Sequence, residues 1–85
     1  MITIQTRTNQ TKNGVTVTAR ARGKQRTQPW NPAKSIQENH AAAAGVVTNL
    51  VTTREQQAKI FHPSGGQRFV IVTRNDGTGT ITLDV

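Results

Sequence analysis

The chain has 85 residues, no cysteine, and a composition of 33% hydrophobic and 4% aromatic residues. That suits one domain, residues 1–85, with a modest core and no disulfide framework, and a homodimer is one way such a core would gain support. Eleven Lys and Arg against four Asp and Glu give a formal charge of +7, an excess that favours polyanions or acidic protein surfaces as partners. No apolar run approaches the roughly 18 residues of a membrane span, and Met1-Ile2-Thr3-Ile4-Gln5 lacks the basic and apolar regions of a signal peptide. The expectation is a cytoplasmic protein with no membrane partner.

Ile2 and Ile4 open an apolar-polar alternation that predicts a first strand over residues 2–11. Lys12-Asn13-Gly14-Val15 contains Asn-Gly, the strongest short-range hairpin signal, so a second strand is expected over residues 15–27. Along it Val15, Val17, Ala19 and Ala21 share one face, and Thr16, Thr18, Arg20 and Arg22 share the other, because side chains alternate across a sheet. Gln28-Pro29-Trp30-Asn31-Pro32 ends the ladder, since proline has no backbone N–H to donate. Ser35-Ile36-Gln37-Glu38 fits a capping box. Beyond it Ile36, His40, Ala43, Val47, Leu50 and Val51 recur at helical spacing, with Ala44 and Val46 at the margins of that face. The helix is expected to end near Thr53.

Residues 58–62 read as a short strand and Pro63-Ser64-Gly65-Gly66 as a turn. Residues 68–73, Arg-Phe-Val-Ile-Val-Thr, are apolar at consecutive positions and read as a buried central strand. Asn75-Asp76-Gly77 is a further hairpin signal, and residues 80–85 form a last strand with Ile81, Leu83 and Val85 on one side. The order β-β-α-β-β-β predicts an α+β domain, a mostly antiparallel sheet of about five strands with one helix packed on one face.

If the second strand runs unbroken, Arg20, Arg22, Lys24 and Arg26 lie on one side at a pitch of about 6.6 Å. Arg7 joins them from the first strand, and Arg68 and Arg74 share one face of the central strand. Such a row follows a nucleic-acid backbone, and neutralising phosphates releases counterions. An acidic protein surface or plain solvation accounts for the same charges, and Gly23 is a point at which the strand can break. The face lacks the tyrosines and other aromatics of single-strand binders, which favours backbone contact over base reading.

Trp30, between two prolines, serves either as a lid on the core or, beside Arg26 and Lys34, as an interface anchor. Lys34 ahead of Ser35 adds charge at a helix N-terminus, where anions are favoured. Gly65-Gly66 signals a turn before a phosphate cradle. His40 and His62 read as structural: without cysteine, and with carboxylates scattered at Glu38, Glu55, Asp76 and Asp84, neither a metal site nor a bound cofactor is expected. Ser35 is taken by the cap and Ser64 by the turn, so no nucleophile has a base beside it and no enzyme is expected.

Residues 29–35, Pro-Trp-Asn-Pro-Ala-Lys-Ser, are followed by Glu38-Asn39-His40 and four alanines, then Gly65-Gly66 and Phe69-Val70-Ile71-Val72. This series resembles a group of small phage and prophage proteins over about half the chain. In that group a proline-aromatic pair precedes a Ser-capped helix carrying Asn-His and alanines, and a Gly-Gly turn leads into an aromatic-Val strand. The chain departs from the group in its Asn75-Asp76-Gly77 turn, its added strand and its basic second strand. The resemblance implies a mobile-element accessory protein in a host cytoplasm, with Asn39 and His40 pinning the helix to its flanking segment, and it assigns no catalytic residue. Two functions follow: a module binding DNA or RNA through Arg20, Arg22, Lys24 and Arg26, or an inhibitor or adaptor of a host nucleic-acid-handling or defence enzyme, anti-CRISPR-like, docking through the same cations and Trp30.

Overall fold

The computed structural model describes residues 1–61 and 69–84. Five strands and two helices follow one another as β1 (Ile2–Thr11), β2 (Gly14–Ala21), β3 (Lys24–Pro29), α1 (Ile36–Val51), α2 (Arg54–Phe61), β4 (Phe69–Thr73) and β5 (Thr78–Leu83). The strands make a single sheet in the order β3-β2-β1-β5-β4, antiparallel at every step. The α+β class and the five-stranded antiparallel sheet are as expected, but the elements that compose them differ in four places.

First, the strand expected over residues 15–27 is two strands. Arg22 (φ 48) and Gly23 (φ 76) form a two-residue turn that sets Ala21 opposite Lys24. Positive φ at both central positions matches the twist of the flanking strands, and glycine reaches it without steric penalty. Second, residues 54–61 are helical where a strand was expected over 58–62. Thr53 and Gln56 cap each other: the Gln56 amide donates to Thr53 Oγ1 at 3.1 Å and the Thr53 amide to Gln56 Oε1 at 3.0 Å, a capping box in Thr-x-x-Gln form. One turn on, Lys59 and Glu55 pair at 4.0 Å. Residue 62 lies outside the described residues, as do the 63–66 turn, Arg68 and Val85.

Third, β4 is an edge strand and β1 is the central one, paired on both sides. Only Phe69 and Ile71 of β4 pack toward the core; Val70 and Val72 point to the open face and are 63% and 48% exposed. Fourth, the buried face of α1 is rotated from the expected stripe. Asn39, His40, Ala43, Ala44, Val47 and Thr48 are buried, while Ile36 and Leu50 are 57% and 41% exposed. Two small residues at Ala43 and Ala44 let the helix approach the sheet closely, and Thr48 satisfies its hydroxyl by donating to the Ala44 carbonyl at 2.8 Å. The helix ends at Val51 with Thr52 as its C-cap, close to the expected end, and its Ser35–Glu38 capping box is present.

The core lies between α1 and one face of the sheet. It joins Ile2 and Ile4, Val17, Ala19 and Ala21, Ala43, Ala44 and Val47, Ile60, and Ile81 and Leu83, with Trp30, Val51, Phe69 and Ile71 packed around it. The opposite face of the sheet is open. Among the described residues no helix is long and apolar enough to cross a membrane.

Candidate functional site

Strand registers fix which side chains share the open face. Gln5 pairs with Arg20 on one side and Thr80 on the other, and Arg20 with Gln25. Arg7 pairs with Thr18 and Thr78, and the Arg74 amide donates to the Thr78 carbonyl at 2.9 Å, carrying that second row one strand further. Directly paired residues project to the same side of a sheet. Two adjacent rows therefore cross the open face, Thr80-Gln5-Arg20-Gln25 and Arg74-Thr78-Arg7-Thr18-Thr27.

These rows border a hollow of about 560 Å³. Arg7 from β1, Arg20 from β2 and Arg74 at the end of β4 line it, together with Gln5, Gln25 and Asn9 and the hydroxyl-bearing Thr18, Thr78 and Thr80. No carboxylate is among the described residues that line it. Part of the wall is fixed: Asn9 Nδ2 donates to Thr18 Oγ1 at 2.9 Å, Thr18 and Thr27 hydroxyls meet at 2.9 Å, and Arg74 Nη2 donates to Thr80 Oγ1 at 2.9 Å. Arg7 and Arg20 are exposed, and their guanidinium groups make no hydrogen bond or ion pair among the described residues.

The row of four cations expected on one strand face is dispersed by the Arg22-Gly23 turn. Arg20 stays on the open face. Lys24 and Arg26 pair with Ala21 and Ala19, which puts them on the helix side of β3, exposed at the sheet edge. Arg22 is at the hairpin tip. Lys34 is exposed in the segment before α1, and Trp30 is half-buried against the core, with its amide donating to the Val15 carbonyl at 2.9 Å. The structure thus brings together Arg7, Arg20 and Arg74, and separates Arg22, Lys24, Arg26 and Lys34 from them. Gln5, Asn9 and Gln25, which also line the hollow, are not among the site residues expected from the sequence. The signal for two of them was the alternation Gln5-Arg7-Asn9 along β1.

Behind the hollow, on the inner face, the polar residues of α1 are fully engaged. His40 is buried with Nδ1 at 2.5 Å from Thr6 Oγ1 and Nε2 at 3.2 Å from Thr8 Oγ1; burial lowers its pKa from the ordinary 6.5. Asn39 binds the lead-in to the helix: its Oδ1 accepts from the Asn31 amide at 2.8 Å, and its Nδ2 donates to the carbonyls of Asn31 (3.0 Å), Lys34 (3.3 Å) and Ser35 (2.9 Å). Asn39 pins the helix to its flanking segment, whereas His40 pins it to the sheet. Among the described residues no group of three or more His, Asp and Glu is placed to hold a metal ion. No family model, curated protein or solved structure matches this chain.

Proposed function

We propose that the chain is a non-enzymatic basic module that binds nucleic acid through its phosphate backbone, acting in the cytoplasm as an accessory factor of a phage or other mobile element. One observation carries the binding reading. The first acidic residue in the sequence is Glu38, so the three-stranded half β1-β2-β3 holds six cations, Arg7, Lys12, Arg20, Arg22, Lys24 and Arg26, and no carboxylate. Charge concentrated on one half of a small domain raises the local density of polyanions and steers their approach. Neutralised phosphates release counterions, which supplies affinity without base reading. The open face adds hydroxyl and amide groups of the kind that bond phosphate and sugar oxygens.

The test is a fluorescence-anisotropy titration of duplex and single-stranded oligonucleotides at two or more salt concentrations. The expected result is an affinity that falls steeply with salt, with a slope of log K on log salt of about 0.7 to 0.9 per phosphate engaged. Absence of binding at low salt overturns the reading. Retention of a single host protein from an extract treated with nuclease, with no oligonucleotide binding, favours the inhibitor or adaptor instead.

A further inference from the structure

We infer that the hollow on the open face is a seat for one phosphate group together with the nucleoside that bears it. The inference rests on the proposed nucleic-acid reading and narrows it to a place and a ligand. A volume of about 560 Å³ falls within the range of about 300–1,000 Å³ typical of small-ligand sites. It suits a single nucleotide, whereas the grooves of a duplex are read by a projecting helix or ribbon. Both helices of this chain pack on the opposite face of the sheet from the hollow.

The lining divides by chemistry. Arg7 and Arg20 are diagonal neighbours on adjacent strands, a separation of about 7–8 Å at the backbone. Arg74 lies two strands from Arg7, about 9.6 Å away at the ordinary strand spacing. Three guanidinium groups thus ring one space, and planar guanidinium forks match phosphate oxygens in pairs. Arg74 is held in place by Thr80, while Arg7 and Arg20 keep their donors free of other described groups. Beside them Gln5, Gln25 and Asn9 offer both donors and acceptors, suited to a sugar hydroxyl or a base edge. No aromatic residue lines the hollow among the described residues, so the nucleoside is held by hydrogen bonds and not by stacking.

The phosphate can belong to a free nucleotide or to a nucleotide within a single strand, and the experiment separates these sources. Calorimetric titrations use inorganic phosphate, a nucleoside 5′-monophosphate, a ten-nucleotide single strand and the corresponding duplex, with the wild-type chain, with Arg7→Gln and Arg20→Gln, with Arg22→Gln for the wider basic half, and with the exposed Arg54→Gln on α2 as a distant control. The guanidinium groups of Arg7 and Arg20 make no bond to other described residues, so their replacement leaves the fold intact, which circular dichroism verifies. The expected result is that the monophosphate binds more tightly than inorganic phosphate and competes with the single strand. Arg7→Gln and Arg20→Gln should each weaken the monophosphate by about tenfold or more, with Arg54→Gln close to wild type. Binding of the single strand that is indifferent to Arg7 and Arg20 but reduced by Arg22→Gln overturns the hollow and leaves the broader reading standing. Monophosphate binding lost in Arg7→Gln, with neither oligonucleotide bound, supports the hollow, makes the free nucleotide its ligand and removes the broader reading. No binding of any probe overturns both.

Discussion

Gly79, near the start of β5, is the residue on which the polar contact between helix and sheet depends. A Cβ there would lie 2.5 Å from Thr6 Oγ1, 2.9 Å from His40 Nδ1 and 3.2 Å from the Val72 carbonyl, so any side chain displaces the imidazole, the hydroxyl or a neighbouring strand. Gly79→Ala should therefore lower stability by about 1–3 kcal/mol, the usual range for overpacking, read as a fall in the urea midpoint at unchanged m-value. His40 makes the same contact sensitive to acid. Its folded pKa lies below the ordinary 6.5 because burial disfavours the imidazolium. Below about pH 6.5 the unfolded chain takes up a proton that the folded chain refuses, so stability is full above that pH and declines as pH falls toward the folded value. Asp76 is held below its ordinary 3.8, chiefly by the Thr78 hydroxyl and amide, and its contribution is lost only at still lower pH, as its folded value is crossed. Urea midpoints measured from pH 8 down to about pH 2 should fall across the histidine window and again below the ordinary aspartate value, and His40→Gln should flatten the first limb while leaving the more acidic one.

At the level of elements, what could be read from the sequence was whatever is decided within a few residues. The Ser35–Glu38 box was legible because both partners lie in one helical turn, and β1 was legible because Ile2 and Ile4 set its parity. The Arg22-Gly23 turn was hidden because a two-residue loop does not interrupt an alternating pattern; it inverts it. Arg20, Arg22, Lys24 and Arg26 keep their spacing in the sequence, yet the strand on the far side of the turn presents its even-numbered residues to the opposite face. The second helix was missed for want of an apolar stripe, although its Thr53–Gln56 cap was there to be read. The hollow was half legible: Arg7 and Arg20 follow from strand parity, but Arg74 joins them only through the register of β5, which lies between. The two sheet edges also differ in composition. On β3 the outer edge carries Lys24, Arg26 and Pro29, residues that discourage further pairing, whereas β4 carries no charge in Phe69–Thr73 and exposes Val70 and Val72. Val70→Lys should raise the concentration at which the protein aggregates on mild heating, monitored by light scattering, while Thr27→Lys on the guarded edge should leave it unchanged.

The molecule as a whole is a sheet with two unlike faces, one sealed by α1 and the polar groups it carries, the other open and cationic. Because Arg7 and Arg20 stand on strands and Arg74 directly follows β4, its amide bonded to the Thr78 carbonyl, their spacing is set by hydrogen-bonded register, and Arg7→Lys with Arg20→Lys should keep most of the salt dependence of oligonucleotide binding while weakening affinity, through loss of paired-donor geometry. The central position of β1 has a consequence for the order of assembly. The two halves of the sheet, β3-β2-β1 and β5-β4, meet only where β1 pairs with β5, and the outermost pair of that seam joins Ile2 to Leu83, across nearly the whole length of the chain. The β1-β2 and β2-β3 hairpins close locally, but the second edge of β1 must wait for a strand from the far end of the domain, and closing so long a loop is slow. During synthesis Ile2 and Ile4 therefore emerge long before β5 can cover that edge. Pulse-labelled hydrogen exchange during refolding should find the amides of β2 and β3 protected first and those shared by β1 and β5 last.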